Sequence, residues 1–291
     1  MTNHELTGST SRAVLFCDHT LARRVESLDA IAGKEYAVAH RALYPNVAAD
    51  YVEVAGGFAS FAGVNSPLTQ AFALGMNGEV TPGDMNRMEA FYREREAAIN
   101  VEVCPLADAS LTMHLSERGY RPVEFSNVLV RRLTASPDDN DGRARVEATR
   151  REVEATEATP GEIETLTEVV SRGFAEDDEA GMAFMMEIFQ VNARTAGVHH
   201  FAARIGDTIV GGGALRVGDR IAGLAGASTL PEYRGRGAQT ALLDARLRFA
   251  AALDCEIATV TTLPGSTSQR NAQRHGFQVA YTRTKWMLAH V

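Results

Sequence analysis

From residue 160 onward, apolar positions along the chain alternate between helical and strand periods. Ile163, Leu166, Val169 and Val170 recur at three- and four-residue spacing, which predicts a helix over 162–172. A polar, acidic segment, 174–181, leads to a second helical run over 182–194 with Phe184, Met185, Ile188, Phe189 and Val191. Strands follow at 199–205, 208–217 and 221–230, joined by the turn dipeptides Gly206-Asp207 and Gly218-Asp219. The third strand is rich in small residues and ends at Pro231. A helix is expected over 237–253, a buried strand over 256–263, and a helix over 266–275 that stops at Gly276. The tail, 277–288, supplies one or two further strands. A strand that returns through a helix to the next strand implies parallel pairing at that point.

The first half repeats part of this pattern more weakly. A strand over 99–104 ends before Pro105, a helix over 107–117 stops at Gly119-Tyr120, and a strand spans 123–132. The segment Leu115-Ser116-Glu117-Arg118-Gly119-Tyr120 parallels Ala272-Gln273-Arg274-His275-Gly276-Phe277, with the two glycines 157 positions apart. Either the chain carries a diverged internal duplication, or two Gly-capped helices happen to precede strands. Between the halves, 134–159 is polar and poor in large apolar residues, with Ser-Pro-Asp-Asp-Asn-Asp-Gly at 136–142. It reads as a connector that includes part of an edge strand around 144–148. The expected organisation is therefore 1–133, a connector at 134–159, and 160–291. The fold class is α/β with α+β character: two domains, each a mixed, mostly antiparallel sheet flanked by helices.

Composition narrows the partners. The 291 residues are 45% hydrophobic and 23% charged, in line with a globular chain able to build sizeable cores. The formal net charge of -8 argues against nucleic acid as the main partner. Three scattered cysteines, Cys17, Cys104 and Cys255, fit neither a disulfide framework nor a metal site. The polar start, without a signal-peptide core or a spanning apolar run, implies a cytoplasmic protein with no membrane partner.

The chemistry concentrates where the small-residue strand meets the next helix: Ala227-Ser228-Thr229-Leu230-Pro231-Glu232-Tyr233-Arg234-Gly235-Arg236-Gly237-Ala238-Gln239-Thr240. Glycines let the main chain approach a ligand closely, and free N–H groups at a helix start attract anions, pyrophosphate among them. The chain lacks the Gly-Lys-Ser/Thr of a Walker loop, and Thr240 interrupts a GxGxxG pattern, so nucleotide binding of those kinds is disfavoured.

Pro231-Glu232-Tyr233-Arg234-Gly235-Arg236-Gly237 with Ala241-Leu242-Leu243 resembles the acyl-CoA loop of the GCN5-related N-acetyltransferase (GNAT) family, and 265–277 resembles that family's last helix and strand. The first half looks like the degenerate copy of tandem members, since 67–84 has no Arg-x-x-Gly-x-Gly equivalent. The resemblance implies an acetyl-CoA-dependent transferase acting on a small-molecule or protein amine, without a metal. It implies that Ala227, Ser228 and Thr229 offer main-chain groups to the pantetheine and acetyl carbonyl. The pyrophosphate would rest on Arg234, Gly235, Arg236, Gly237, Ala238, Gln239 and Thr240, with Ser268 and Asn271 near the pantetheine. A homodimer stays open.

The sequence departs from the family pattern at three places. Gln239 stands where Gly or Ala is usual, so its side chain points away from the phosphates or contacts the ligand. Gly265 replaces a common Asn, and Ala272 stands where many members carry the Tyr that protonates the leaving thiolate. Acyl transfer needs a neutral amine and donors for a developing oxyanion, and it benefits from a proton for the thiolate. The candidates are Ser228, Tyr281 and His200; His199 and His200 lie on opposite strand faces, so at most one faces a site. Arg270 and Arg274 share a helix face and either meet the CoA 3′-phosphate or are solvated. The run Glu176-Asp177-Asp178-Glu179 is expected to attract cationic amines. The competing function is a CoA-binding pseudoenzyme or regulatory module.

Overall fold

The computed structural model of the chain describes residues 15–133, 152–175 and 178–288. The first half contains α1 (His19–Leu43), β1 (Asp50–Val54), β2 (Gly57–Phe61), β3 (Gln70–Phe72), α2 (Pro82–Arg93), β4 (Ile99–Val103), α3 (Ala109–Glu117) and β5 (Arg121–Arg132). The second half contains β6 (Glu154–Glu157), α4 (Ile163–Ala175), α5 (Glu179–Asn192), β7 (Val198–Ile205), β8 (Thr208–Gly218) and β9 (Ile221–Thr229). It continues with α6 (Ala238–Ala252), β10 (Ile257–Thr262), α7 (Thr267–Arg274) and β11 (Gln278–Leu288).

The second half follows the order its apolar periodicity predicts, with two differences. The tail, expected as one or two strands, is one long strand with two register shifts against β5. The acidic segment is shorter than expected: α4 runs to Ala175, and Asp178 caps α5 by accepting the Ala180 N–H at 3.2 Å. The expected edge strand at 144–148 lies outside the described residues, and the observed edge strand is Glu154–Glu157, within the expected connector and paired with β7.

The expectation of one sheet per half is corrected. All the described strands form a single sheet in the order β1-β2-β3-β4-β11-β5-β10-β9-β8-β7-β6. The last strand of each half inserts between the last two strands of the other: β11 pairs with both β4 and β5, and β5 pairs with both β11 and β10. This exchange makes three pairings and satisfies six strand edges, three in each half, that either half alone would leave open. Val128, Leu129 and Val130 of β5 are fully buried at the seam. Helix α1 adds a second lock across it. Leu28 packs so closely on β8 and β9 that a Cβ at Gly218 or Gly223 would come within 2.9 Å of its side chain.

The seam also holds a buried polar cluster. Glu26, with no exposed surface, accepts hydrogen bonds from the Tyr281 hydroxyl (2.6 Å) and from Arg283 Nε (3.1 Å) and Nη2 (2.9 Å). Arg283 also meets Asp29 at 2.7 Å. Burial pushes the Glu26 carboxyl up, and the Arg283 charge opposes that shift.

Candidate functional site

The site begins with an irregularity between β8 and β9. Gly212 pairs with Ser228, but the next pair is Ala214 with Ala225, so Gly226 and Ala227 together face Gly213. Gly226 takes φ +58°, a left-handed conformation that glycine adopts without a Cβ penalty. Such a bulge bends its strand and interrupts the ladder. The parallel pairing of β9 with β10 ends at Leu224 with Val260, so β9 from Ala225 to Thr229 diverges from Thr261 and Thr262. The result is a gap in the sheet.

Main-chain groups face this gap. Leu230 N–H donates to Val210 across β8 at 3.0 Å, and the Ser228 carbonyl also faces β8, as the 2.7 Å approach to a Cβ at Gly211 shows. By strand alternation the N–H and C=O of Thr229 point the other way, toward β10.

The loop from Leu230 to Gly237 ends beside the gap. A short 3₁₀ turn, Pro231–Tyr233, precedes Gly235 (φ +77°) and Gly237 (φ +93°), and α6 starts with Gly237 as a cap without a side chain. The first-turn N–H groups of α6 therefore receive no side-chain acceptor from their cap. Nothing lies within 4 Å of a Cβ built at either glycine, so the loop is open on its outer face. Positive φ, rather than crowding, selects glycine here.

The corresponding place in the first half is built differently. Helix α2 runs between parallel β3 and β4, as α6 runs between parallel β9 and β10. Its N-terminus carries a capping box: the Asp84 N–H donates to Thr81 Oγ1 (3.2 Å), and the Thr81 N–H donates to Asp84 Oδ2 (2.9 Å). Hydrogen bonds from Thr81 hold the Asp84 carboxyl below the usual carboxylate range. A carboxylate thus stands where the second half leaves donors open.

The loop side chains are committed to the protein. Arg234 donates through Nη2 to the Gly173 carbonyl (3.0 Å) and through Nε to the Thr229 carbonyl (3.3 Å), tying the loop to α4 and β9. Arg236 forms an ion pair with Glu152, its Nε at 3.1 Å. Gln239 points toward the strand end, with Nε2 donating to Thr229 Oγ1 at 2.9 Å, which settles the direction of its side chain. The Ser228 hydroxyl donates to the Val170 carbonyl at 2.8 Å and is buried, so it braces β9 against α4. Ser268 is exposed and Asn271 half-buried on α7, while Ala272 is buried in the core. Arg270 and Arg274 are both exposed on the same helix.

Of the three catalytic candidates, the structure takes Tyr281 out of reach. Its hydroxyl is bound to Glu26 in the seam, and burial together with the Glu26 charge pushes its pKa far upward. The sequence placed Tyr281 on a strand but could not show that α1 covers it.

His199 and His200 do face opposite sides of β7. His199 stacks near Phe249 of α6 (4.7 Å between centroids) and its Nδ1 meets Glu157 at 2.9 Å. His200 lines a pocket between α4, α5 and the sheet, with Leu166, Val170, Phe189, Asn192 and Gly226. Its Nε2 is buried without a hydrogen-bond partner. Burial lowers its pKa, and a main-chain hydrogen bond with Asn192 opposes that shift. Burial therefore favours the neutral imidazole.

The first half contributes to this pocket from behind. Tyr36, His40 and Tyr44 of α1 bind the Ile188 carbonyl (3.4 Å), Glu187 (3.3 Å) and Gln190 (2.7 Å) of α5. Sequence periodicity marked α5 as amphipathic but gave no sign that α1 would buttress it. Of the acidic run, Glu176 and Asp177 lie outside the described residues, and Asp178 is the α5 cap. Among the described residues no cluster of His, Cys, Asp or Glu could hold a metal ion, and no helix is long and apolar enough to cross a membrane.

Residues 163–277 match the model of the acetyltransferase (GNAT) family. The chain is similar in fold to a GCN5-related N-acetyltransferase from Kribbella flavida, at 16% identity over 90% of this chain and 96% of that one, with a TM-score of 0.59. It is similar to a tandem GNAT protein from the clavulanic acid biosynthesis pathway, at 15% identity over 82% and 81%, TM-score 0.54. A GCN5-related N-acetyltransferase from Sphaerobacter thermophilus aligns at 14% identity over 75% and 71%, TM-score 0.52. No curated protein sequence matches the chain.

Proposed function

We propose that the chain is an N-acetyltransferase that uses acetyl-CoA as acyl donor and a primary amine as acceptor, with both bound by the second half. The observation that carries this reading is the coincidence of two openings at one end of the sheet. The β9–β10 gap accepts an extended chain, and the uncapped N-terminus of α6 beside it accepts an anion. An extended pantetheine suits the first opening and a pyrophosphate the second.

Acetyl-CoA supplies an activated acyl group; the protein supplies position and proton management. The Thr229 N–H faces the gap and can donate to negative charge on the acyl oxygen. His200 Nε2, directly or through one water, takes the proton that the amine loses as its nitrogen bonds to the acyl carbon. The carbon–sulfur bond breaks, and its electron pair leaves on the CoA sulfur. Ala272 and the sequestered Tyr281 offer no proton to that sulfur. This feature favours the second reading, a CoA-binding module without turnover. In the first half, the Thr81–Asp84 cap supports a scaffolding role instead of a second donor site.

The test is a thermal-shift titration with acetyl-CoA, CoA, ATP and NAD on the wild type and Gly237→Glu, followed by CoA-release assays with amines. Binding to the folded state raises the melting temperature by mass action. A rise with acetyl-CoA and CoA, lost in Gly237→Glu, supports the donor site, and CoA release separates enzyme from module. A rise confined to ATP or NAD overturns both readings.

A further inference from the structure

Helix α5 belongs to the second half by sequence, yet its last turn is anchored in the first. Val191 is the one fully buried residue of α5. It packs in a cluster whose other members, Tyr36 and Ala62, and whose flanking side chains all come from the first half. The remaining residues of α5 are half-buried or exposed, so Val191 is its deepest attachment.

Polar contacts reinforce that anchor. Tyr36, His40 and Tyr44 stand four residues apart and share one face of α1. The Tyr44 hydroxyl donates to Gln190 Oε1 at 2.7 Å, shorter than the contacts of Tyr36 (3.4 Å) and His40 (3.3 Å) with the same helix. Asn192 ends α5, and its main chain bonds the His200 ring. Since Nε2 of that ring has no partner, the bond to Asn192 orients the imidazole. Three consecutive residues, Gln190, Val191 and Asn192, therefore join α1 to the proposed base.

We propose that the first half positions His200, through the Tyr44–Gln190 hydrogen bond and the burial of Val191 against α1. Its consequence for turnover rests on the acetyltransferase reading above, but the state of the imidazole can be read without any substrate. Tyr44 acts through α5, as a positioning residue. This gives the half that lacks the glycine loop a part in the chemistry of the other.

The experiment compares the wild type, Tyr44→Phe, Gln190→Leu and the double variant. The His200 imidazole is titrated by NMR on histidine-labelled protein, its signal assigned by loss in His200→Gln. The charged and titratable groups acting on His200 are Glu157 of β6 and His199 of β7. The α4 and α5 side chains around it among the described residues, Leu166, Thr167, Val170, Phe189 and Asn192, do not titrate. The bond to Asn192 favours the protonated ring, so loosening it should lower the His200 midpoint in both single variants. In CoA-release assays kcat is expected to fall about tenfold at unchanged acetyl-CoA affinity. The double variant should be no worse than either single, because one contact is lost in all three.

A His200 midpoint at the wild-type value in Tyr44→Phe and Gln190→Leu overturns the proposal. Additive losses in the double variant, or acetyl-CoA affinity that falls in step with kcat, also overturn it. Absence of acetyl-CoA binding or of CoA release in the wild type removes the acetyltransferase reading alone, and the imidazole titration still decides the positioning.

Discussion

The guanidinium of Arg246 occupies the space that a side chain at Gly213 would take: a Cβ there would lie 3.0 Å from Nη1. Arg246 is buried on α6. It donates through Nη1 to the carbonyls of Ala214 (3.1 Å) and Ala225 (3.4 Å), the residues flanking the bulge, and through Nε to Leu242 (3.1 Å). Burial lowers its pKa to about 10, so it stays charged at neutral pH. A cation held on carbonyls there braces the distortion that opens the gap. Arg246→Met is expected to retain the fold while weakening acetyl-CoA binding by on the order of tenfold, with partial recovery in Arg246→Lys. Calorimetric titration beside thermal melts checks this; equal donor affinity in all three proteins would dismiss the role.

His200→Gln is expected to lower kcat by about a hundredfold and to remove a pH inflection from the rate profile. The wild-type inflection lies below the usual histidine range, because burial depresses the pKa. The same depression fixes the sign of the stability effect. The stabilising contribution is present above the unfolded-state pKa and is lost as pH falls through the lowered folded value. Paired pH–rate profiles and acid melts of both proteins test the two parts separately.

Tyr281→Phe separates packing from catalysis. Loss of the hydroxyl that donates to Glu26 should cost about 1–3 kcal/mol in denaturant unfolding, with kcat nearly unchanged. A large fall in kcat at unchanged stability would restore Tyr281 as an acid.

Strand exchange predicts that neither half is a well-behaved monomer alone. A fragment spanning 152–291 loses β4 and β5, leaving β11 without either neighbour and β10 without one. Size-exclusion chromatography should show it aggregated or self-associated, and co-expression with 1–133 should recover a soluble complex. A monomeric, cooperatively folding fragment would contradict this dependence.

Local chemistry made much of the second half legible. Period-3.6 spacing placed α4 and α5, glycine turns delimited β7 to β9, and Gly235 and Gly237 marked a loop that needs positive φ whatever surrounds it. Much of the first half was not legible. β1 to β3 are short, and the fully buried Ala59 and Ala71 leave a weak alternation in which small side chains replace large ones. Among the site residues, the sequence supplied the loop and both histidines, because their residue types carry the signal themselves. It did not supply Arg246, whose role depends on what lies opposite it on β8 and β9.

By itself, then, the sequence determined the elements from residue 160 onward, the glycine-rich helix start without a side-chain cap and the opposed faces of His199 and His200, because these follow from backbone geometry within a few residues. Tertiary structure alone decided the exchange of β5 and β11, the withdrawal of Tyr281 to Glu26, the buttress of α1 on α5 and the cation beneath the bulge. Each joins residues far apart in the chain. Such pairings are fixed by which edges and charges must be satisfied once the sheet closes, a condition that no local pattern encodes.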